Sequence, residues 1–517
     1  MLKKTFSIVL ICLLFLTGCD NLEQIEESIT ETQEETAQSG GTLNLYAVRP
    51  DTLNPLTTKY ASNRQMLDLV YDPLIRVGSD VSPVMVLAES ISVSDGGTLH
   101  TIRLKSGVTW HDGTAFSAAD VVYTLQSVMN SADSVYKVNL SNVASVSRTD
   151  AQTVQIRLNY PDASFANLLE IPIIPQGWKE GVVTGTGRYI WKYYDYLKSV
   201  TLEKNAAYYG TKPYIDGISV TILPDEQSVY NAFMIDMTDV MSETSQEAAK
   251  YNTSGNISYE RVMTQRYSFI GINCTRQGLN NTNLRRALMK LVKRDKLTND
   301  LYADFGIPTE YPIHPQSKYY RTTESDTRSD MEQGQELLDQ EGYELNKDSN
   351  LRTKDGSALT FELLVNANKL SYQTEAEYIA EGFAEYGIKI SLKIVPYEEY
   401  LQLIQTGNFD LYLGEMNLLP DYELSFLLHT GGAQNYGGFS SNEMDAALET
   451  LASAGADSLA ETYGYVQEVF ETQAPHIPLF FEYNQLIYDS AKLGGIRGNI
   501  QPSLFGAMES WFVKQNK

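Results

Sequence analysis

Apolar and polar positions alternate through much of the second half of the chain, and the period of this alternation changes from segment to segment. A period of two predicts β-strands at 359–365 and 388–395. Periods near 3.6 predict helices at 372–386 and 398–405. A further alternating run begins at Phe409. The order β-α-β-α-β predicts an α/β fold.

The first half of the chain is richer in strand and turn signals. Residues 41–47 alternate like a strand, and a turn at 95–97 lies between two alternating runs, which predicts a hairpin. The block from Trp110 to Asp120 predicts a strand, a tight Asp-Gly turn and then a helix. Ser117 is the predicted N-cap of that helix, with Asp120 near the positive end of its dipole.

The N-terminus has the features of an export signal. Two lysines precede the apolar run 6–16, which is too short to span a bilayer but suits a signal peptide. The run ends in Leu16-Thr-Gly-Cys19, which resembles a bacterial lipobox; the alternatives are a signal-anchor and an ordinary cleavage site with an incidental cysteine. We expect a signal peptide at 1–18, then the lipidated Cys19 and a disordered acidic tether at 19–40.

Composition narrows the class of protein further. A length of 517 residues, 43% of them hydrophobic, predicts about two or three globular domains. The net charge of -25 argues against nucleic acid as a partner. Cys12 leaves with the signal peptide, Cys19 is predicted to carry lipid and Cys274 is alone, so no intrachain disulfide is expected.

The sequence has little support for catalysis. It contains no G-x-S-x-G, H-E-x-x-H, P-loop or paired-cysteine motif, and its five histidines are widely spaced. We therefore expect no enzyme activity, no catalytic residues, no cofactor and no metal site. An exported hydrolase that uses two carboxylates stays open as the weakest alternative.

The segment 409–427 carries the main candidate for ligand binding. Its strand-like first half is broken at Gly414, and Pro420 is followed by the carboxylate of Asp421. In open α/β sheets the carboxyl ends of strands face the ligand crevice, so Asp421 is placed to meet a cationic group. The alternative is a solvated turn residue.

Three stretches, the lipobox and the blocks 110–120 and 409–427, resemble the extracellular solute-binding proteins of family 5, which serve ABC importers of peptides, nickel and some oligosaccharides. The resemblance spans nearly the whole mature chain. It implies an α/β, two-lobed periplasmic-binding-protein-like fold of type II, large, with an extra subdomain in lobe one. The two lobes would close on a hinge.

The resemblance also implies a discontinuous first lobe. The predicted boundaries are lobe one at 41–264 with an inserted subdomain at about 57–175, lobe two at 265–484, and a return to lobe one at 485–517. Strands predicted at 266–273 and 477–483 lie beside the two crossings between the lobes.

In peptide-binding members of the family, an acid in the second block takes the α-ammonium group of the peptide, and Asp421 matches that acid. Members usually carry a Trp just before it, where this chain has two leucines. The preceding residues would offer main-chain hydrogen bonds to an extended peptide. The predicted ligand-binding residues are Asp421, Tyr422, Asn417, Leu418, Leu419, Lys59 and Tyr60.

The function implied by the resemblance is a monomeric, lipid-anchored protein on the extracytoplasmic face of the cell membrane. It would capture di- or oligopeptides between its lobes and deliver them to the permease subunits of an ABC importer. The alternatives are a binder of nickel or a metal chelate, disfavoured by sparse His, an oligosaccharide binder, favoured by 34 Tyr against 17 Phe, and a peptide-sensing lipoprotein.

Overall fold

Most of the chain after the predicted tether is described by the computed structural model. The described residues are 36–243, 255–302, 305–322, 327–500 and 503–515. The predicted signal peptide, Cys19 and most of the tether lie outside them. Within these ranges no helix combines the length and the hydropathy needed to cross a bilayer.

Strands and helices both occur throughout the described residues. In chain order the strands are β1 (Thr42–Val48), β2 (Ile75–Val77), β3 (Pro83–Met85), β4 (Ala88–Ser94), β5 (Leu99–Leu104), β6 (Val143–Arg148), β7 (Thr153–Leu158), β8 (Tyr189–Asp195), β9 (Ser199–Lys204), β10 (Gly217–Leu223), β11 (Val240–Glu243), β12 (Ile257–Ile272), β13 (Gly306–Pro308), β14 (Glu344–Asn346), β15 (Leu351–Lys354), β16 (Ser357–Ala358), β17 (Thr360–Asn366), β18 (Lys389–Val395), β19 (Leu411–Asn417), β20 (His476–Asp489), β21 (Leu493–Gly494) and β22 (Phe512–Val513).

The α-helices are short to medium in length. They are α1 (Ala61–Asp68), α2 (Ala118–Asn130), α3 (Gln227–Met234), α4 (Thr282–Leu291), α5 (Arg294–Leu297), α6 (Thr327–Gln340), α7 (Leu370–Ala384), α8 (Tyr397–Gln405), α9 (Ser425–Leu428), α10 (Asn442–Ala452) and α11 (Leu459–Gln473).

Two four-stranded sheets come from the first half of the chain. One has the order β1-β10-β9-β8, in which β1 and β10 are parallel. The other has the antiparallel order β4-β5-β7-β6 and packs against α2. The side chain of Ser117 accepts a hydrogen bond from the amide of Ala119, and Asp120 accepts one from the amide of Ser117, which confirms the predicted N-cap.

A larger mixed sheet comes mostly from the second half, with the order β11-β20-β12-β19-β17-β18 and with β13 added to β20; β11 comes from the first half. β17 is parallel to both β18 and β19, and α7 and α8 connect these three strands. This arrangement confirms the predicted β-α-β-α-β unit. Apolar side chains on the central strands are buried against the flanking helices, so the core of this half lies on the sheet.

The two longest strands, β12 and β20, pair along most of their length, and their register shifts twice, at a bulge between Met263 and Tyr267 and again between Ser268 and Phe269. Met263 pairs with Tyr483 and Tyr267 with Phe481, so three residues of β12 stand opposite the single residue Glu482. The hydroxyl of Thr264 donates to the main-chain oxygen of Glu482 at 2.5 Å within this bulge. A bulge bends and twists a strand and exposes its extra residues. It separates the part of the sheet next to β11 from the part next to β19.

Candidate ligand-binding site

A cavity of about 470 Å³ lies beside this bulge, a size within the range of roughly 300–1,000 Å³ that is usual for small-ligand sites. One wall comes from α1 and from segments 135–139 and 167–170. The other comes from the bulge, the end of β19 with the loop that follows, and β20. The polar lining residues are Arg64, Gln65, Tyr136, Asn139, Asn167, Glu170, Thr264, Gln265, Arg266, Asn417 and Glu482.

The wall formed by the large sheet carries a charged network. Arg266 Nη1 lies 2.9 Å from Glu482 Oε2, and its Nε lies 3.6 Å from Glu415 Oε1. The hydroxyl of Tyr372 donates to Glu415 at 2.7 Å. Burial raises the pKa of Glu482, and the nearby Arg266 opposes that rise. The positive charge on this wall is therefore balanced within the wall itself.

The opposite wall carries a guanidinium without an acidic partner. Arg64 Nη1 donates to the main-chain oxygens of Thr58 and Lys59, at 3.1 and 2.8 Å. Among the described residues it forms no ion pair. Asp68, one turn further along α1, is bound by Arg76 at 2.8 Å instead. Arg64 is thus held in place by neutral carbonyl groups and lines the cavity.

Glu170 lies on the same wall. Its closest cation is Arg76, whose Nη1 lies 3.9 Å from Glu170 Oε1, and its other oxygen accepts a hydrogen bond from the amide of Val77 at 3.2 Å. Burial raises the pKa of Glu170 to about 8, against the lowering effect of Arg76. At pH 7 this side chain is largely protonated and adds little negative charge to the cavity.

Asn167 joins the two walls. Its amide nitrogen donates to the main-chain oxygen of Val81 at 3.0 Å and to that of Pro420 at 2.8 Å. Its Oδ1 is buried and has no hydrogen-bond partner among the described residues. A buried acceptor without a donor costs roughly 1–3 kcal/mol. A ligand N–H group, or a water molecule in its place, would satisfy this oxygen.

Asp421 follows Pro420 but does not line the cavity. Its side chain is 5% exposed, and Oδ1 accepts a hydrogen bond from the amide of Glu423 at 3.3 Å. Burial raises the pKa of Asp421 to about 7. Asp162 lies close enough for Asp421 to raise its pKa as well, after burial as the main cause. No cation pairs with either carboxyl group in the described part of the chain.

A contact from α11 holds the loop that contains Asp421. The hydroxyl of Tyr463 donates to the main-chain oxygen of Asp421 at 2.7 Å and lies 3.0 Å from Ser164 Oγ. The loop therefore contacts the first half of the chain directly at Asn167, through Pro420, and indirectly at Ser164, through Tyr463. These contacts bring the predicted acid to the boundary between the two halves, although Asp421 is buried and is not a lining residue of the cavity.

The other predicted site residues fall into three settings. Asn417, Leu418 and Leu419 line the cavity, and the amide of Leu418 donates to the main-chain oxygen of Gln265 at 2.9 Å. Tyr422 is buried with a positive φ of 49°, and its hydroxyl accepts a hydrogen bond from the amide of His314.

Lys59 and Tyr60 stand apart from these residues. Both are exposed and lie just before the cavity wall formed by α1. Neither is a lining residue of the cavity, but the carbonyl of Lys59 helps to fix Arg64.

Sequence reasoning did not single out five polar residues of the walls: Arg64, Asn167, Glu170, Arg266 and Glu482. A signal for two of them was present. Arg266 and Glu482 are charged residues within otherwise apolar strand patterns, and a charge in such a position needs a partner. No local pattern marks the other three, because they come from separate segments that only the fold brings together.

The buried histidines are neutral. Burial lowers the pKa of both His314 and His476 to about 3. His476 Nε2 lies 2.8 Å from the hydroxyl of Tyr267, in the core of the large sheet. In the ranges that the structure describes, no group of three His, Cys, Asp or Glu side chains is arranged to hold a metal ion.

Comparison with known proteins gives consistent results. The family model described as "Bacterial extracellular solute-binding proteins, family 5 Middle" matches residues 82–438. The oligopeptide-binding protein AppA of Bacillus subtilis is 22% identical over 98% of this chain and 98% of its own length. Heme-binding protein A of Haemophilus influenzae is 23% identical over 92% of this chain and 93% of its own length.

Among solved structures, the unliganded open form of MppA, a periplasmic murein tripeptide binding protein, matches with a TM-score of 0.79 at 17% identity. The match covers 93% of this chain and 98% of that chain. This likeness shows the fold, which is the two-lobed α/β fold of periplasmic binding proteins, as predicted. The three relatives are each named for what they bind and none is named as an enzyme.

Proposed function

The chain belongs to family 5 of the bacterial extracellular solute-binding proteins, and from this premise we propose that it captures di- or oligopeptides outside the cytoplasm for an ABC importer. The observation that carries the proposal is a buried carboxyl group, Asp421, that has no cationic partner among the described residues and lies directly after the cavity residue Pro420. AppA and MppA, named for oligopeptide and murein tripeptide binding, support peptides as the ligand class.

Asp421 is the proposed partner of the peptide's α-ammonium group. A carboxyl group that is desolvated and unpaired gains more from a cation than an exposed one does, because water does not compete for either charge. A charge-assisted hydrogen bond in such a site contributes roughly 1.5–3 kcal/mol. Tyr422 and the neighbouring Asp162 would shape this end of the site. A small movement of the loop at 420–423 would be needed to open it to the cavity.

The end of β19 is proposed to hold the peptide main chain. β19 pairs with β12 from Leu411 to Asn417, whereas β17 covers its other edge only at Leu411 and Tyr412. The edge beyond Tyr412 therefore has no strand partner among the described residues. Main-chain hydrogen bonds to this edge and to Leu418 and Leu419 would bind peptides with little regard to sequence. Lys59 and Tyr60 remain proposed contacts from the other wall.

The two lobes are proposed to hinge at the bulge. The predicted boundaries at 264/265 and 484/485 fall in β12 and β20, next to Glu482. A bulged pair of strands with cavity residues on its surface suits a hinge that closes on a ligand. We retain 41–264 with the insertion at about 57–175, 265–484 and 485–517 as the proposed division.

The cellular setting follows from the N-terminal prediction. We propose removal of residues 1–18, lipidation of Cys19 and a tether over 19–40 that holds a monomeric receptor at the extracytoplasmic face of the membrane. Permease subunits of an ABC importer are the proposed partners. Labelling of cells with an alkyne-bearing fatty acid tests the anchor, because a Cys19→Ser variant should lose the label and leave the membrane fraction.

Native mass spectrometry of the purified protein tests the ligand class. We expect bound short peptides of mixed sequence, which denaturation releases for sequencing. Asp421→Ala should lower the affinity for a released peptide by roughly tenfold or more, and Asp150→Ala, an exposed carboxylate in a surface turn, serves as the control. Release of a heme, a metal chelate or an oligosaccharide instead would contradict the peptide proposal. Equal affinity in the two variants would contradict only the role of Asp421.

A further inference from the structure

Arg64 is the cavity residue whose charge the protein leaves unbalanced. Its Nη1 is used by the main-chain oxygens of Thr58 and Lys59, while Nε and Nη2 have no hydrogen-bond partner among the described residues. The Nε and Nη2 edge of a guanidinium is one of the two edges that bind a carboxylate with two parallel hydrogen bonds. The side chain is half-buried in the cavity wall, so a ligand would reach that edge with part of its hydration already removed.

The acids of α1 and of the cavity walls are committed to other arginines. Both oxygens of Asp68 accept from Arg76 Nη1 at 2.8 Å, and Oδ2 also accepts from the hydroxyl of Ser503 at 2.8 Å. Glu170 also lies beside Arg76. On the facing wall, Arg266 binds Glu482 at 2.9 Å. Every other arginine of this neighbourhood is therefore paired with a carboxylate, and Arg64 is not.

Two further observations point to a ligand at this wall. Asn167 lines the same cavity, and its buried Oδ1 accepts no hydrogen bond in the described residues. The hydroxyl of Tyr136 is close enough to Arg64 and Glu170 for the charges of both to affect its pKa. The lining of one cavity thus includes a fixed cation and an amide whose oxygen lacks a donor, which suits a ligand that carries both a carboxylate and amide N–H groups.

From this arrangement we infer that Arg64 binds a carboxylate of the ligand, so that the site selects peptides with a free carboxylate over neutral ones. The inference rests on the proposed peptide function and adds a second charged contact, in the wall opposite the large sheet. The carboxylate comes from the peptide C-terminus or from an acidic side chain, and both have the same chemistry at the guanidinium.

The test is a competition measured by native mass spectrometry on the purified protein after removal of bound ligand. The probes are alanine peptides of about two to six residues with a free C-terminal carboxylate, the same peptides as C-terminal amides, and amides that contain one glutamate. The wild type should prefer the free acids over the plain amides by roughly tenfold or more. Recovery of affinity by the glutamate-containing amides would assign the carboxylate to a side chain.

Three variants show whether Arg64 is responsible. Arg64→Met should bind acids and amides equally, and Arg64→Lys should keep part of the preference, because it retains the charge without the two-pronged geometry. Arg103→Met, which removes an exposed arginine paired with Glu89, is the matched control and should keep the full preference. Thermal unfolding of each variant checks that it is folded.

The outcomes separate the two proposals. Equal binding of acids and amides by the wild type overturns the role of Arg64, whatever the variants do. A full preference for acids in Arg64→Met overturns it as well, and so does a loss of affinity in Arg64→Met that is the same for acids and amides. Binding of no peptide at all by the wild type overturns the peptide function, and the Arg64 inference with it.

Discussion

The two walls of the cavity differ in whether their charged side chains have a partner within the protein. On the large sheet, Arg266, Glu482 and Glu415 form a network in which each charge has a partner. On the other wall, the hydrogen-bond partners of Arg64 are main-chain carbonyl groups. Asp421, which follows the lining residue Pro420, is paired with no cation among the described residues. A charge with a protein partner stabilises the fold, whereas a charge held without one is available to a ligand. This difference separates framework residues from candidate contacts.

The largest expected effect comes from breaking the paired wall. Arg266→Met leaves Glu482 without its cation and Glu415 with Lys369 alone, 3.5 Å away, which should lower the free energy of unfolding by about 2 kcal/mol. That is less than the roughly 3–5 kcal/mol of a fully buried pair, because a third of the Arg266 side chain is exposed. Urea denaturation at pH 7 and fixed salt measures it.

The matched control for this variant is Arg103→Met, whose ion pair with Glu89 is exposed. It should change the stability by no more than about 0.5 kcal/mol. If the two variants lose the same amount, the sheet network contributes no more than a surface pair does, and the contrast between the walls disappears.

The second prediction concerns the unpaired acid at pH values around neutrality. The folded state raises the pKa of Asp421 from 3.8 to about 7, so folding favours its protonated form. The wild type should therefore lose stability as the pH rises from about 4 to 7. Asp421→Asn removes this loss and should be more stable than the wild type at pH 8 by on the order of 2 kcal/mol, without bound ligand.

Denaturation curves between pH 4 and 8 measure this difference. Asp162 and Glu423 are present in both proteins, so their own titration does not separate the two curves except through their contact with Asp421. Parallel curves for wild type and Asp421→Asn would show that the ionised carboxyl group is already compensated in the free protein. Asp421 would then resemble the paired charges of the large sheet instead of the unpaired Arg64.

Local patterns predicted much of the framework. The β-α-β-α-β unit and the Ser117 cap follow from residues close in sequence, and both are present. The strands predicted at 266–273 and 477–483 are present but longer, as β12 and β20. The parts of these strands that were not predicted contain buried polar residues, which interrupt the apolar pattern. Asn484, for example, is fully buried and donates to Ser242 Oγ at 2.8 Å across the sheet. A hydrogen bond between buried polar groups on two strands cannot be predicted from the sequence of either strand alone.

The site was less accessible to prediction, because its contacts join distant parts of the chain. Arg266 and Glu482 are 216 positions apart, and Asn167 and Pro420 are 253 apart. No local pattern shows which residues of α1 face the cavity, so Lys59 and Tyr60 were named and Arg64 was not. Asp421 was singled out by its position after a strand and a proline, a local signal, and its burial beside Asp162 depends on the whole fold.

The smallest expected effect concerns Asn167, which joins the two walls of the cavity. Asn167→Ala removes two hydrogen bonds, to Val81 and to Pro420, and the unsatisfied Oδ1 together with them, so the net loss of stability should be about 1 kcal/mol. Because the bond to Pro420 joins the two walls, its loss should also lower peptide affinity, by roughly threefold to tenfold.

Asn139→Ala is the matched control for that variant. Asn139 lines the same cavity, but its amide donates to Leu168, within the same half of the chain. Calorimetric titration with one peptide should show a weaker affinity in Asn167→Ala than in Asn139→Ala. If the two variants bind alike, the contact across the cavity does not favour the ligand-binding conformation. The unpaired groups would then act on the ligand only by direct contact, and closure would depend on the bulge alone.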